Sequence, residues 1–317
     1  MNYIKYIFIL LPFLTFAQDA IFNINTHNQH QINKAVFEKY DFTVKFDNVF
    51  ENYRGNDKLD NRHFFSNTLN INYRSNAFSF GADIGYNYNN GTNNIRNLDA
   101  IIGYHPRIAR QSRLSIAVNI GLLNTKLKVD EVYNRYTFDF VKPYEGDINS
   151  NNLNIGFSTA LYIRKQMLGL SANYINQALL PDKQNSNIPI KYTAYIRNTL
   201  IRDKLVSTVI YQYQDEYLPS FIDADYYFNI MKYLGVNLEY KYEAYTFGMG
   251  TKFLSNNEYV LSLLLSVDYN YYSFFYSPSI MIGNGSNEIA AFNQIGIYYH
   301  FQRKLRGRMY TIGCPAF

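Results

Sequence analysis

The stretch Thr68-Leu69-Asn70-Ile71-Asn72-Tyr73-Arg74, followed by Phe78-Ser79-Phe80-Gly81-Ala82-Asp83-Ile84-Gly85-Tyr86-Asn87-Tyr88, decides how this chain folds. Apolar side chains hold every second position. A period of two places them on one face of an extended strand. The opposite face carries Asn, Ser, Gly and Asp. A sandwich core would be filled by large inward side chains. Large apolar groups on one face and small polar ones on the other suit a barrel with lipid outside and a polar interior.

The same pattern spreads in both directions. Leu98, Ala100, Ile102 and Tyr104 alternate with Asn97, Asp99, Ile101 and Gly103. Leu114, Ile116, Val118, Ile120 and Leu122 oppose Ser115, Ala117, Asn119 and Gly121. Leu153, Ile155, Phe157 and Leu161 form the next stripe, then Leu168, Leu170, Ala172 and Tyr174. Tyr259, Leu261, Leu263, Leu265, Val267 and Tyr269 form a long one, with Ser262, Ser266 and Asp268 opposite. Stripes ending in Tyr73, Tyr88, Tyr104, Tyr174, Tyr240 and Tyr269 fit an aromatic girdle at a membrane interface. Ser75, Asn76 and Ala77 make a short hairpin break, and residues 89–94 a turn cluster. Residues 147–152 and 181–189 read as longer polar breaks, and 129–146 as an external loop. The pattern predicts an all-β fold, a transmembrane antiparallel β-barrel of about 14 strands.

Composition agrees. The chain has 317 residues, 47% hydrophobic, with 32 Tyr, 24 Phe and no Trp. Mean hydropathy is nevertheless −0.27, so apolar residues are interleaved with polar ones. Tyr and Phe favour strands and suit a membrane interface. At the N-terminus, Lys5 precedes a mostly apolar run, residues 6–16, and Thr15-Phe16-Ala17 places small residues around a cleavage point before Gln18. That order predicts a secretory signal peptide, too short to span a membrane as a helix. The expected organisation is a signal peptide over 1–17, an N-terminal periplasmic segment over 18–40, a barrel over 41–301 and a basic tail over 302–317.

Signatures of soluble chemistry are few. The net charge of +5 is too mild to argue for nucleic acid. Cys314 is the single cysteine and cannot pair within the chain. No GxSxG elbow, P-loop or GxGxxG occurs, and Gly283-Asn284-Gly285-Ser286-Asn287 reads as a turn. His27 and His30 sit among Asn and Gln without further ligands in fixed places. His63, His105 and His300 are scattered at strand ends. Asp223, Asp225, Asp268 and Glu288 read as lumen residues with basic partners. No catalytic, cofactor or metal residue is predicted. In the tail, Arg303, Lys304, Arg306 and Arg308 end the last stripe, and Cys314, Pro315 and Phe317 close the chain. This is a candidate docking tail for a periplasmic partner, set against a plain solvated tail.

The C-terminal half carries a resemblance. Leu168-Gly169-Leu170-Ser171 precedes a polar loop. Tyr233-Leu234-Gly235-Val236-Asn237-Leu238-Glu239-Tyr240-Lys241 leads to Phe247-Gly248-Met249-Gly250. Val267-Asp268-Tyr269, Gly285-Ser286-Asn287-Glu288-Ile289 and the ending Cys314-Pro315-Ala316-Phe317 follow. In these the chain resembles the PorP/SprF family, outer-membrane proteins of the type IX secretion system of Bacteroidetes. It lacks the Asn-Pro-Ala-type segment with which that family usually opens. The resemblance implies a non-enzymatic accessory role in exporting, or holding at the surface, a cognate secreted protein such as an adhesin. The partners it implies are outer-membrane lipid, the cargo and periplasmic secretion components. A solute pore and a barrel-wall hydrolase are the other readings. A pore needs a wide lumen, a hydrolase a Ser–His pair near a membrane interface, an anchor a plugged or narrow lumen.

Overall fold

In the computed structural model, the residues described are 33–37, 40–54, 61–89, 93–128, 147–177, 188–214, 232–254, 259–282 and 289–302. The expected tail residues 303–317, the loop 129–146, His27, His30, Asp223, Asp225 and Glu288 lie outside them.

Among the described residues there are fifteen strands: β1 (Phe42–Arg54), β2 (Asn61–Ser75), β3 (Phe78–Asn89), β4 (Asn93–Tyr104), β5 (Arg107–Ala109), β6 (Ser112–Lys128), β7 (Asp147–Ile163), β8 (Gln166–Asn173), β9 (Lys191–Leu200), β10 (Leu205–Tyr213), β11 (Tyr233–Tyr242), β12 (Tyr245–Leu254), β13 (Tyr259–Tyr269), β14 (Tyr272–Ile282) and β15 (Ile289–Phe301). Each pairs antiparallel with its sequence neighbour, except that β4 pairs directly with β6 and β5 pairs only with β6. β1 pairs with β15 from Phe42↔Phe301 to Arg54↔Ile289. That pairing closes a ring of 14 strands, with β5 as a short flap at its rim. Closure leaves the ring itself no exposed sheet edge, which a strand crossing hydrocarbon cannot tolerate.

The polarity of the wall is the reverse of a soluble protein's. Leu122 is 61% exposed and Leu263 57%, and both point outward. Lys252 is 2% exposed, Asp47 1% and Ser115 buried completely, all pointing inward. The expected stripes on β6 and β13 therefore face out, and their Ser, Asn and Gly partners face in. Exposed apolar surface on this scale is stable only against lipid.

The two ends of the barrel differ. At one end β2–β3, β7–β8, β11–β12 and β13–β14 turn within two residues. The first residue of each turn (Asn76, Arg164, Glu243 and Asn270) has positive φ. That conformation matches the twist of the flanking strands and costs Asn least. A helical turn, α1 (Ile201–Lys204), joins β9 to β10 at the same end. The other end carries the longer connections, as in outer-membrane barrels, where short turns are periplasmic.

Two expectations are corrected. Residues 147–152 are no loop: β7 starts at Asp147, because the long partner strand β6 templates Asn- and Ser-rich sequence into the ladder through Lys128↔Asp147 and onward. Tyr174 leaves the girdle and is buried with Ile95, Leu123 and Ile188, whereas Tyr73, Tyr104, Tyr240 and Tyr269 are exposed outward.

Candidate functional site

The lumen is occupied by the protein's own chain. Residues 33–37 lie inside the barrel. Ala35 and Val36 pack with inward residues from across the ring, including Ile101, Ala117, Tyr162, Tyr195 and Ile210. Of the segment expected on the periplasmic side, residues 18–40, the stretch 33–37 lies within the ring of strands. Asn33 starts it. Its Oδ1 accepts from the N–H of Ala35 at 2.8 Å, a local turn of the kind Asn favours. Its Nδ2 donates to the carbonyls of Thr159 at 2.9 Å and Leu170 at 3.1 Å. Lys34 pairs with Asp83, which also accepts from Asn70.

Phe37 is the lower end of this plug. Its N–H donates to the Tyr162 hydroxyl at 2.6 Å. Its ring meets His105 edge-on at 5.3 Å, and the guanidinium carbons of Arg74 and Arg113 lie 4.7 and 3.7 Å from its centroid. Cations over a ring face attract it through the ring quadrupole, by about 1–2 kcal/mol each when desolvated. Arg74 is held in turn by Asp41 at 2.9 Å. Tyr40, further along, stacks on His300 at 4.5 Å.

His105 sits between two serines. Ser79 Oγ lies 2.7 Å from its Nε2, and Ser115 Oγ 2.9 Å from its Nδ1. A neutral imidazole has one donor and one acceptor, so two hydroxyls satisfy it. All three groups are buried and Phe37 covers the ring, leaving a substrate no approach. His300, at its strand end, shares a hydrogen bond with Ser273 at 3.2 Å. Of the expected lumen residues, Asp268 is the one described, and it is exposed at the rim rather than lining the lumen. Among the described residues, the buried lumen carboxylates are Asp47, Asp83, Asp99 and Glu239. Among the described residues no group of three or more His, Cys, Asp or Glu is placed to hold a metal.

Sequence reading missed the aromatic lining. Tyr162, Tyr195, Phe275, Phe292 and Tyr298 point inward and are buried. Two glycines make room for it. A Cβ at Gly169 would lie 2.0 Å from the ring of its cross-strand partner Tyr195, and one at Gly296 would lie 1.8 Å from Phe275. These rings lie flat on the wall and narrow the lumen. The signal was the cross-strand Gly–aromatic pair, visible only once the register is known.

On β9 and β11, Arg197 and Glu239 approach to 3.8 Å, beyond hydrogen-bond range. Among the described residues, Arg197 Nε and both Glu239 carboxylate oxygens have no hydrogen-bond partner.

Solved structures resemble this barrel in fold. A CymD monoaromatic hydrocarbon channel matches with TM-score 0.58 at 12% identity, covering 89% of this chain and 94% of that one. The toluene transporter TodX of Pseudomonas putida matches with TM-score 0.50 at 11% identity, covering 86% and 92%. A FadL homologue of Pseudomonas aeruginosa matches with TM-score 0.50 at 10% identity, covering 82% and 90%. These likenesses establish the fold, a closed β-barrel, and nothing about cargo. A comparison with curated protein sequences finds no match. The family model described as type IX secretion system membrane protein PorP/SprF matches residues 61–299, which span the barrel from β2 into β15. With an outward apolar wall, a closed ring and that match, the chain belongs to the PorP/SprF family of the type IX secretion system.

Proposed function

We propose that this barrel is a non-enzymatic accessory of type IX secretion, one that assists export or surface anchoring of a cognate secreted protein such as an adhesin. The family match over residues 61–299 carries the reading. The plug supports it, because residues 33–37 fill lumen space a solute would need. Among the described residues, burial of the Ser79–His105–Ser115 set keeps that nucleophile–base pair from a substrate. On this reading the basic tail (Arg303, Lys304, Arg306, Arg308, with Cys314, Pro315 and Phe317) extends from the short-turn end towards a periplasmic secretion component. The processed protein begins at Gln18. Affinity purification from outer membranes, read by mass spectrometry, tests the role. A secreted protein and a periplasmic secretion component should be retained. Their absence would sink the proposal.

The second reading is a channel for small solutes, favoured by the fold shared with a monoaromatic hydrocarbon channel. Planar-bilayer conductance separates the two, since a plugged anchor conducts weakly and a pore conducts steadily.

A further inference from the structure

The short-turn rim is divided into two arcs of different chemistry. From β11 round through β15 to β4 the outward side chains at this end are aromatic: Tyr240, Tyr245, Tyr269, Phe301, Tyr73 and Tyr104 are all exposed. From β6 to β10 the outward positions at the same height are Leu114, Leu161, Gln166, Asn198 and Leu205, and no aromatic ring is among them. There the turns carry cations instead. Arg107 and Arg110 lie between β4 and β6, Arg164 and Lys165 between β7 and β8, and Lys204 between β9 and β10, all exposed.

These turns form one ledge. Arg164 donates its N–H to the Gln111 carbonyl at 2.9 Å and its Nε to Gln111 Oε1 at 3.1 Å. The N–H of Thr199 donates to the Lys165 carbonyl at 3.0 Å. Arg107 donates to the carbonyls of Ala109 and Arg110 and fixes the flap. Lys204 lies 6.0 Å from the Tyr242 ring and marks where the aromatic arc begins. By contrast, Arg74 and Arg113 point inward to Phe37 and take no part.

Between the cations stand two isoleucines, Ile108 at 58% exposure and Ile201 at 68%. Aliphatic groups beside cations, on the outer wall of a membrane barrel, fit the boundary between acyl chains and headgroups. The aliphatic carbons enter hydrocarbon while Arg and Lys reach the phosphates. A rim with rings on one side and cations on the other would be held differently by lipid on its two sides.

We infer that this ledge binds anionic phospholipid headgroups of the periplasmic leaflet and there replaces the aromatic girdle. The test reconstitutes the full chain in phosphatidylcholine vesicles with and without phosphatidylglycerol, and native mass spectrometry reads the lipid retained. The wild type should retain phosphatidylglycerol on the order of tenfold over phosphatidylcholine. The variant carrying Arg107→Gln, Arg110→Gln, Arg164→Gln, Lys165→Gln and Lys204→Gln should lose that preference, and Lys241→Gln on the aromatic arc should keep it. A wild type without preference, or a five-fold variant that keeps it, overturns the inference. So does a ledge that ignores lipid and instead retains an acidic periplasmic protein, lost in the variant. Should the variant not fold, high salt applied to the wild type decides. Retention that collapses with salt supports headgroup binding, and retention indifferent to salt contradicts it.

Discussion

Val118 and Asn119 are neighbours on β6 and meet opposite surroundings. Val118 stands outward with Ile120 and Leu122, where any apolar side chain would serve. Asn119 stands inward; its own amide has no hydrogen-bond partner among the described residues, but other groups on that face are specified by partners: Asp83 by Lys34 and Asn70, His105 by Ser79 and Ser115, Asp47 by Tyr298 at 2.9 Å. The outer face is a solvent match and the inner face a set of particular contacts. Substitutions should therefore follow hydrophobicity outside and partner identity inside. Within the inner face the Arg197–Glu239 pair, at 3.8 Å, is held less closely than the Lys34–Asp83 pair of the plug.

The sharpest break of this contrast lies at the plug. Lys34→Ala leaves the buried Asp83 carboxylate with only its Asn70 contact among those described. Removing one partner of a buried pair costs about 3–5 kcal/mol. Protease access to the N-terminal segment should rise, and the double change Lys34→Met with Asp83→Leu should recover much of the loss. If Lys34→Ala alone is neutral, the pair does not hold the plug.

On the outer face, Leu263→Arg should cost about 2–4 kcal/mol of barrel stability near the midplane. A lumen change of similar boldness in sequence, Gln294→Ser, should cost about 1 kcal/mol. Urea unfolding in vesicles measures both, and equal losses would erase the distinction between the faces.

Phe37→Ala removes the ring from Arg74, Arg113 and His105, and should loosen the plug by about 2 kcal/mol while leaving the wall closed. Planar-bilayer recordings should show new openings. Unchanged conductance would mean that the segment is not what blocks passage. Smallest in stability is removal of the tail, residues 303–317, since each exposed ion pair contributes only about 0–1 kcal/mol. β15 still ends at Phe301 paired with Phe42, so the barrel should close while cargo display falls. Display unchanged in a folded truncation would remove the docking role of the tail.

The wall was legible in sequence because its signal is local. A period of two fixes which of Leu261, Ser262 and Leu263 face out, whatever the rest of the chain does. The plug was not legible, because its contacts are distant: Asn33 meets Thr159 across 126 residues, and Lys34 meets Asp83 across 49. The start of β7 was misread for a related reason. Asn and Ser at 149–152 are weak strand formers by themselves, and pairing with β6 overrides them. The inward rings of Tyr195 and Phe275 were hidden because the glycines that admit them, Gly169 and Gly296, sit on neighbouring strands. The family resemblance, by contrast, lay in residues from 168 onward, which apart from the ending 314–317 fall within the span 61–299 that the family model matches.

The most direct test of a secretion role is the surface proteome of cells lacking this gene, measured by mass spectrometry alongside solute uptake. Loss of one or a few secreted proteins from the surface, with uptake unchanged, is the predicted result. A complete surface proteome with reduced solute uptake would contradict it and make the barrel a channel.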